Sequence, residues 1–249
     1  MGVRSKIEWT SVTWNPFTGC TKVSMGCANC YAERFAIRLM KAGHPKYRNG
    51  FKFTVHRDIF DFPLKLKKPR LIFVNSMSDL FHEEADFETI AELFEVMNRA
   101  DWHIYQVLTK RANRLLEFSK QYSNLFKPHI WIGVTVEHFK YKYRIDMLRQ
   151  VPAKIRFISA EPLLSSLLYP DGKLDLSGIS WIIVGAESGP RARPMDEAWV
   201  REIRDEAMRQ GVAFFYKQNV VNGRKVSLPE LDGRRWNEFP MEIGIKNFL

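Results

Sequence analysis

Cysteine is scarce in this 249-residue chain: there are three, all inside Cys20-Thr-Lys-Val-Ser-Met-Gly-Cys27-Ala-Asn-Cys30. Any pairing of three thiols leaves one over, so a disulfide framework within the chain is excluded. Long apolar runs are missing too. Nothing approaches the length that crosses a bilayer, and the opening MGVRSKIEWTSVTW has no apolar stretch of a secretory signal. Its Met-Gly start lacks the rest of a myristoylation pattern, with Lys6 at the sixth position. Linkers rich in glycine and serine, low-complexity tracts and internal repeats are also absent. These absences lead to the expectation of one domain over 1–249, cytoplasmic and without a membrane partner. Acidic residues fall short of basic ones, 28 against 38, for a net charge of +10. That balance favours a polyanionic partner. In Phe139–Arg144 aromatics alternate with Lys140 and Lys142, an arrangement that can track phosphates and stack bases; a solvated basic surface has the same composition.

What is present is the clustering of those three cysteines. Thiolates hold metals, and three of them leave one coordination position open, which separates a reactive centre from a closed structural one. The plainer alternative is three small buried apolar residues. Zinc would need a fourth ligand, and the nearest histidines, His44 and His56, lack zinc-finger spacing. An iron–sulfur cluster with one unligated iron fits better. Gly19 and Gly26 permit unusual backbone angles in the loop, and Pro16 sets its approach.

Along the chain, short runs rich in β-branched and aromatic residues alternate with segments of helical period. The runs are 70–75, 103–109, 129–135, 155–160, 181–185 and 212–217, with another strand near 12–16 leading into the cysteine loop. Helical spacing marks Phe35, Leu39 and Met40 on one face with Tyr31 a turn earlier, a helix capped by Asp86, and one capped by Asp196 that ends at Gly211. The segment 51–55 alternates like a strand on the rim. The fold class is α/β, with a partial or complete parallel TIM-like barrel and a C-terminal extension from about residue 219.

In such a barrel, chemistry collects where strands end. Those ends carry Asn75, Ser76 and Asp79; Lys110 and Arg111; Thr135 and Glu137; Ser159 and Glu161; Gly185, Glu187 and Ser188; and Lys217 with Gln218. Three glutamates in a barrel mouth need partners. They can cap the following helices, or, as one alternative, hold a divalent ion for hydrolase or nuclease chemistry.

Together the stretches KIEWTSVTWNPFTGCTKVSMGCANCYAERFA, PRLIFVNSMSDLFHE, IWIGVTVE, RFISAEPLL and WIIVGAESGPRARPM resemble the phage Gp37/Gp68-like family of three-cysteine proteins. One departure is Asn219-Val220 after Lys217-Gln218, where that family has Trp-Gly. The pattern in turn resembles the radical S-adenosylmethionine superfamily, although the spacing is Cys-x6-Cys-x2-Cys rather than Cys-x3-Cys-x2-Cys. The resemblance implies a [4Fe-4S] cluster on Cys20, Cys27 and Cys30 with S-adenosylmethionine on its fourth iron. It implies a reductant such as flavodoxin or ferredoxin, a nucleic acid or nucleotide substrate, and room for a partner protein. Asn75, Ser76 and Asp79 would then accept the cofactor ammonium, and Thr135, Glu137, Ser159 and Glu161 its ribose hydroxyls. The Gly185–Ser188 stretch, with Glu187, would approach the adenine or carboxylate. Lys110 and Lys217, as catalytic residues, and Arg111 would meet an anionic substrate or the cofactor carboxylate. A rival reading from another class is a nucleic-acid-binding module with a structural zinc or a passive cluster.

Overall fold

The structure, a computed structural model, describes residues 5–240, so the ends of the expected 1–249 domain lie outside the described residues. One sheet has eight strands in chain order: β1 (Val12–Trp14), β2 (Leu71–Val74), β3 (Ile104–Thr109), β4 (Ile130–Thr135), β5 (Arg156–Ala160), β6 (Trp181–Gly185), β7 (Ala213–Val221) and β8 (Arg224–Ser227). The first seven run parallel and β8 lies antiparallel to β7. Among the described residues no ladder joins β8 back to β1, so the sheet is an open half-barrel, the partial form of the two closures expected. Among the described residues five α-helices accompany it: α1 (Tyr31–Lys41), α2 (Phe87–Arg99), α3 (Ala112–Gln121), α4 (Tyr143–Arg149) and α5 (Glu197–Arg209). No described helix is long and apolar enough to cross a membrane.

Each expected strand of this sheet begins within one residue of its expected start, the rim segment expected over 51–55 is strand only at Thr54–Val55, and the Asp86 and Asp196 caps are the expected ones. Asp86 accepts the Thr89 N–H at 2.6 Å and Asp196 that of Ala198 at 2.8 Å. The C-terminal end differs. β7 runs through Asn219 to Val221, so the expected boundary near 219 falls inside a strand. The chain turns at Asn222 (φ 49°) and Gly223 (φ 72°) and returns as β8. Two successive positive φ angles are what a tight hairpin needs, and Asn-Gly supplies them. Residues 54–55 pair antiparallel with Phe17–Thr18, which places the rim excursion beside the cysteine loop.

The α1 face also differs from its periodicity. Ala32 and Ala36 are buried, while Tyr31, Phe35 and Met40 are 48%, 39% and 37% exposed. The apolar stripe read from the sequence therefore points largely to solvent.

The register explains where the interior lies. Phe73 pairs with Gln106, Gln106 with Trp131, Gly133 with Phe157, Phe157 with Trp181, and Ile183 with Phe215. Period-two alternation then sends these side chains into the barrel. Trp9, which precedes β1, joins them, its ring 4.6 Å from Phe73 and 6.2 Å from Trp181. This aromatic packing fills the barrel toward the strand N-termini and leaves the C-terminal ends open.

Candidate functional site

Continuing the same alternation up the strands brings Phe73, Leu108, Lys110, Thr135, Ser159, Glu161 and Lys217 to the wall of one cavity of about 380 Å³. Its other walls are Gly26, Cys27, Asn29, Cys30 and Tyr31 of the loop and α1, Ala186–Ser188 after β6, the segment Lys6–Trp9, and Lys225 of β8. Glu161 pairs with Lys217 at 2.8 Å and accepts the Ser159 hydroxyl at 3.2 Å. Glu8 pairs with Lys225 at 2.8 Å and accepts the Ser227 hydroxyl at 2.5 Å, tying the segment before β1 to the β7–β8 hairpin across the open side of the half-barrel. Burial pushes the Glu8 carboxyl up, but those two partners outweigh it and hold it below its ordinary value.

The cysteine loop is strapped down by side chains from successive strand ends. After β2, the Ser78 hydroxyl donates to the Gly19 carbonyl at 2.6 Å. Gly19 has φ 79°, and a Cβ there would meet the Lys52 carbonyl oxygen at 2.1 Å, so glycine is required. After β3, Arg111 donates to the Thr21 carbonyl (3.1 Å), the Thr21 hydroxyl (2.8 Å) and Cys20 Sγ (3.5 Å). After β4, Glu137 accepts the Gly26 N–H at 3.3 Å and the Ser24 hydroxyl. After β6, Glu187 accepts from Asn29 Nδ2 at 2.9 Å and forms a fork with Arg193. Burial raises the Glu187 carboxyl, but the Arg193 and Asn29 hydrogen bonds overcome it and hold it at about 2.

The expected residues thus divide. Cys27, Cys30, Lys110, Thr135, Ser159, Glu161, Glu187, Ser188 and Lys217 meet at the cavity. Cys20, Asn75, Ser76, Asp79, Glu137 and Gly185 are not on its wall. Asp79 spends its oxygens on the Thr109 hydroxyl, the backbone N–H groups of Lys110 and Phe81, and Arg111. Asn75 accepts the Phe17 N–H at 3.1 Å, and the Ser76 hydroxyl donates to Asn15 at 3.1 Å. Glu137 is paired with buried Arg144. Gly185 makes room for Glu161, whose Oε1 would stand 2.7 Å from a Cβ there. Asn75, Ser76, Asp79 and Glu137 thus bond to the loop and its supports.

The three glutamates do not form a shared carboxylate site, because each has its own cation: Arg144, Lys217 and Arg193. Sequence reasoning missed Lys6, Glu8, Trp9 and Lys225. KIEW precedes the first strand, and its inward Trp9 was the available signal.

All three cysteines are free and half-buried. Among the described residues, no three His, Cys, Asp or Glu side chains form a ready metal-holding group. Cys20 donates to the Thr21 carbonyl and Cys27 lies 3.6 Å from the Ser24 hydroxyl. Burial, with Asp79 adding to it, pushes the Cys20 thiol up to about 12 against the pull of Arg111. The donor set nevertheless suits a cluster: three free thiols on one strapped loop, an Arg111 N–H directed at one sulfur, and two thiols on the cavity wall.

A family model described as a protein of unknown function, DUF5131, matches residues 4–240. The chain belongs to that family. The match carries this description and not the phage Gp37/Gp68 one. No curated protein matches. Among solved structures, the chain is similar to a spore photoproduct lyase variant with bound AdoMet and dinucleoside spore photoproduct, at 13% identity and a TM-score of 0.42, covering 78% of this chain and 60% of that one. The chain thus spans less than two thirds of that lyase chain's length.

Proposed function

We propose that this DUF5131 chain is a radical S-adenosylmethionine enzyme acting on a nucleic acid or nucleotide substrate. The observation that carries the proposal is the strapped loop after β1, which brings two of its three free thiols to a cavity at the C-terminal ends of parallel strands. Cys20, Cys27 and Cys30 would hold a [4Fe-4S] cluster. When bound, such a cluster would supply an electron for the reductive cleavage of S-adenosylmethionine, and with it the means of abstracting hydrogen from a substrate.

The chain's own residues have definable tasks. Arg111 steadies the Cys20 sulfur, Glu137 fixes the Gly26 backbone before Cys27, and Glu187 holds the Asn29 side chain after it. Thr135, Ser159 and Glu161 offer hydroxyl and carboxylate partners to ribose hydroxyls on the cavity wall, with Lys217 orienting Glu161. The aromatic walls keep water from the reacting atoms. The nucleotide reading is supported by the net charge of +10 and by exposed Tyr143 and Tyr169 near the basic segment after β4. A flavodoxin- or ferredoxin-type reductant belongs to the same reading, as do a single domain and a cytoplasmic setting.

Anaerobic reconstitution with iron and sulfide tests it. Wild type should bind iron with visible cluster absorbance and, with a reductant, release 5′-deoxyadenosine. Alanine at Cys20, Cys27 or Cys30 should abolish both. Freshly purified protein with one zinc and no iron, and no cofactor cleavage after reconstitution, would instead favour the zinc-bearing module.

A further inference from the structure

The cavity holds two kinds of lysine. Lys217 and Lys225 are matched by Glu161 and Glu8, each at 2.8 Å. Lys6 and Lys110 line the same cavity and, among the described residues, have no carboxylate partner. The acids of the neighbouring Asp79–Glu83 segment are already committed. Asp79 takes the Lys110 backbone N–H and the Arg111 guanidinium, and Glu83 takes Arg111 at 2.8 Å. Glu187, the remaining carboxylate on the wall, is held by Arg193. Among the described residues, two ammonium groups of this cavity therefore have no carboxylate counterpart. They share the cavity with an apolar wall of Ile7, Trp9, Phe73 and Leu108. Half-buried Lys110 lies deeper and exposed Lys6 lies at the rim. Unmatched cations beside an apolar wall suit a ligand whose ring-bearing body is desolvated while its anionic group is met by charge.

We propose that Lys6 and Lys110 form an anion subsite for a phosphate group of the substrate, with the attached nucleoside against the apolar wall. The inference rests on the nucleotide reading of this same site and adds which groups receive the phosphate. A free nucleotide and a nucleic acid strand both present that chemistry.

The test uses the full chain, with and without anaerobic reconstitution, and measures calorimetric affinity for uridine, uridine 5′-monophosphate and a short oligouridylate. Uridine monophosphate or the oligouridylate should bind more tightly than uridine. The double variant Lys6→Gln/Lys110→Gln should lose roughly tenfold or more of that added affinity, with uridine unchanged, and Lys→Arg replacements should retain it. A gain confined to the oligouridylate assigns the phosphate to a strand, and a gain with the monophosphate to a free nucleotide. Either supports the subsite. Equal affinity for uridine and both phosphorylated probes overturns it. So does a parallel fall in S-adenosylmethionine affinity in the double variant, which would give the lysines to the cofactor carboxylate. Iron binding and 5′-deoxyadenosine release are read separately, so failure of the radical-enzyme reading is distinguishable from failure of the subsite. Circular dichroism of the variant, unchanged for a folded chain, accompanies each titration.

Discussion

The Glu137 carboxylate and the Arg144 guanidinium meet at 3.0 Å with both side chains shut off from solvent. The same carboxylate receives the Gly26 N–H and the Ser24 hydroxyl. Arg144 also donates to the Thr135 carbonyl at 2.8 Å and lies 4.3 Å from the Tyr141 ring centroid. The Tyr141 hydroxyl in turn accepts the Met25 N–H at 3.1 Å. One buried pair therefore connects β4, α4 and the loop carrying the cysteines.

Removing only the cation should be costly, because it strands a carboxylate where water cannot reach it. Arg144→Met is expected to lower unfolding free energy by about 3–5 kcal/mol, measured by urea denaturation. Glu137→Gln/Arg144→Met should recover much of that loss, since no bare charge remains. If the single variant is as stable as wild type, the pair has no structural weight.

Much of this site was legible because strands buried on both faces announce themselves. RLIFVN, IWIGVT and WIIVG are too short for helices and too apolar for loops, and the ends of these and the other strand runs led directly to Lys110, Thr135, Glu161, Glu187 and Lys217 on the cavity wall. Which strand-end residues line the cavity was not legible. Glu137 and Glu161 have the same sequence context, a carboxylate two residues beyond the inward Thr135 or Ser159. Burial and the cation that reaches each one separate them: Arg144 from the next helix takes Glu137 away, whereas Lys217 keeps Glu161 on the wall. Such partners are distant or lie behind a turn in the chain, and alternation does not encode them. Asn222-Gly223 is itself a hairpin signal, one that the expected boundary near 219 passed over.

Gly133 lies mid-strand with a Cβ position 2.5 Å from the Phe157 ring. Gly133→Ala must displace that ring, which is packed against Trp181 at 5.7 Å. A loss of about 1–3 kcal/mol is expected, read as a lower thermal midpoint. Gly133→Ala/Phe157→Leu should regain part of it by opening space.

Arg111 tests how far the loop depends on a fork. It engages Asp79, Glu83, Thr21 and Cys20 with the separate nitrogens of one guanidinium. Arg111→Lys keeps the charge near Asp79 but cannot span those partners. It should stay folded yet retain less iron after reconstitution and gel filtration. Wild-type iron retention in this variant would show that the thiols need no help from Arg111.

Glu187 predicts an acid limb in stability, and the sign follows from its direction of shift. Its carboxyl is lowered from an ordinary 4.5 to about 2 in the fold, so the unfolded chain binds the proton first as pH falls. The stabilisation is present in full above about 4.5, is lost progressively below it, and is gone near 2. Glu83, lowered to about 2 because the Arg111 hydrogen bond overcomes burial, acts over the same window, although its side chain is 52% exposed and solvent weakens its share. Glu187→Gln should therefore be less stable than wild type at pH 7, and the two curves should converge toward pH 2. Glu83→Gln should flatten the limb less. Since Glu187 fixes Asn29 between Cys27 and Cys30, the variant should also lose iron faster at pH 7. An acid limb in Glu187→Gln identical to that of wild type would show that the ion pair with Arg193 does not bear on stability.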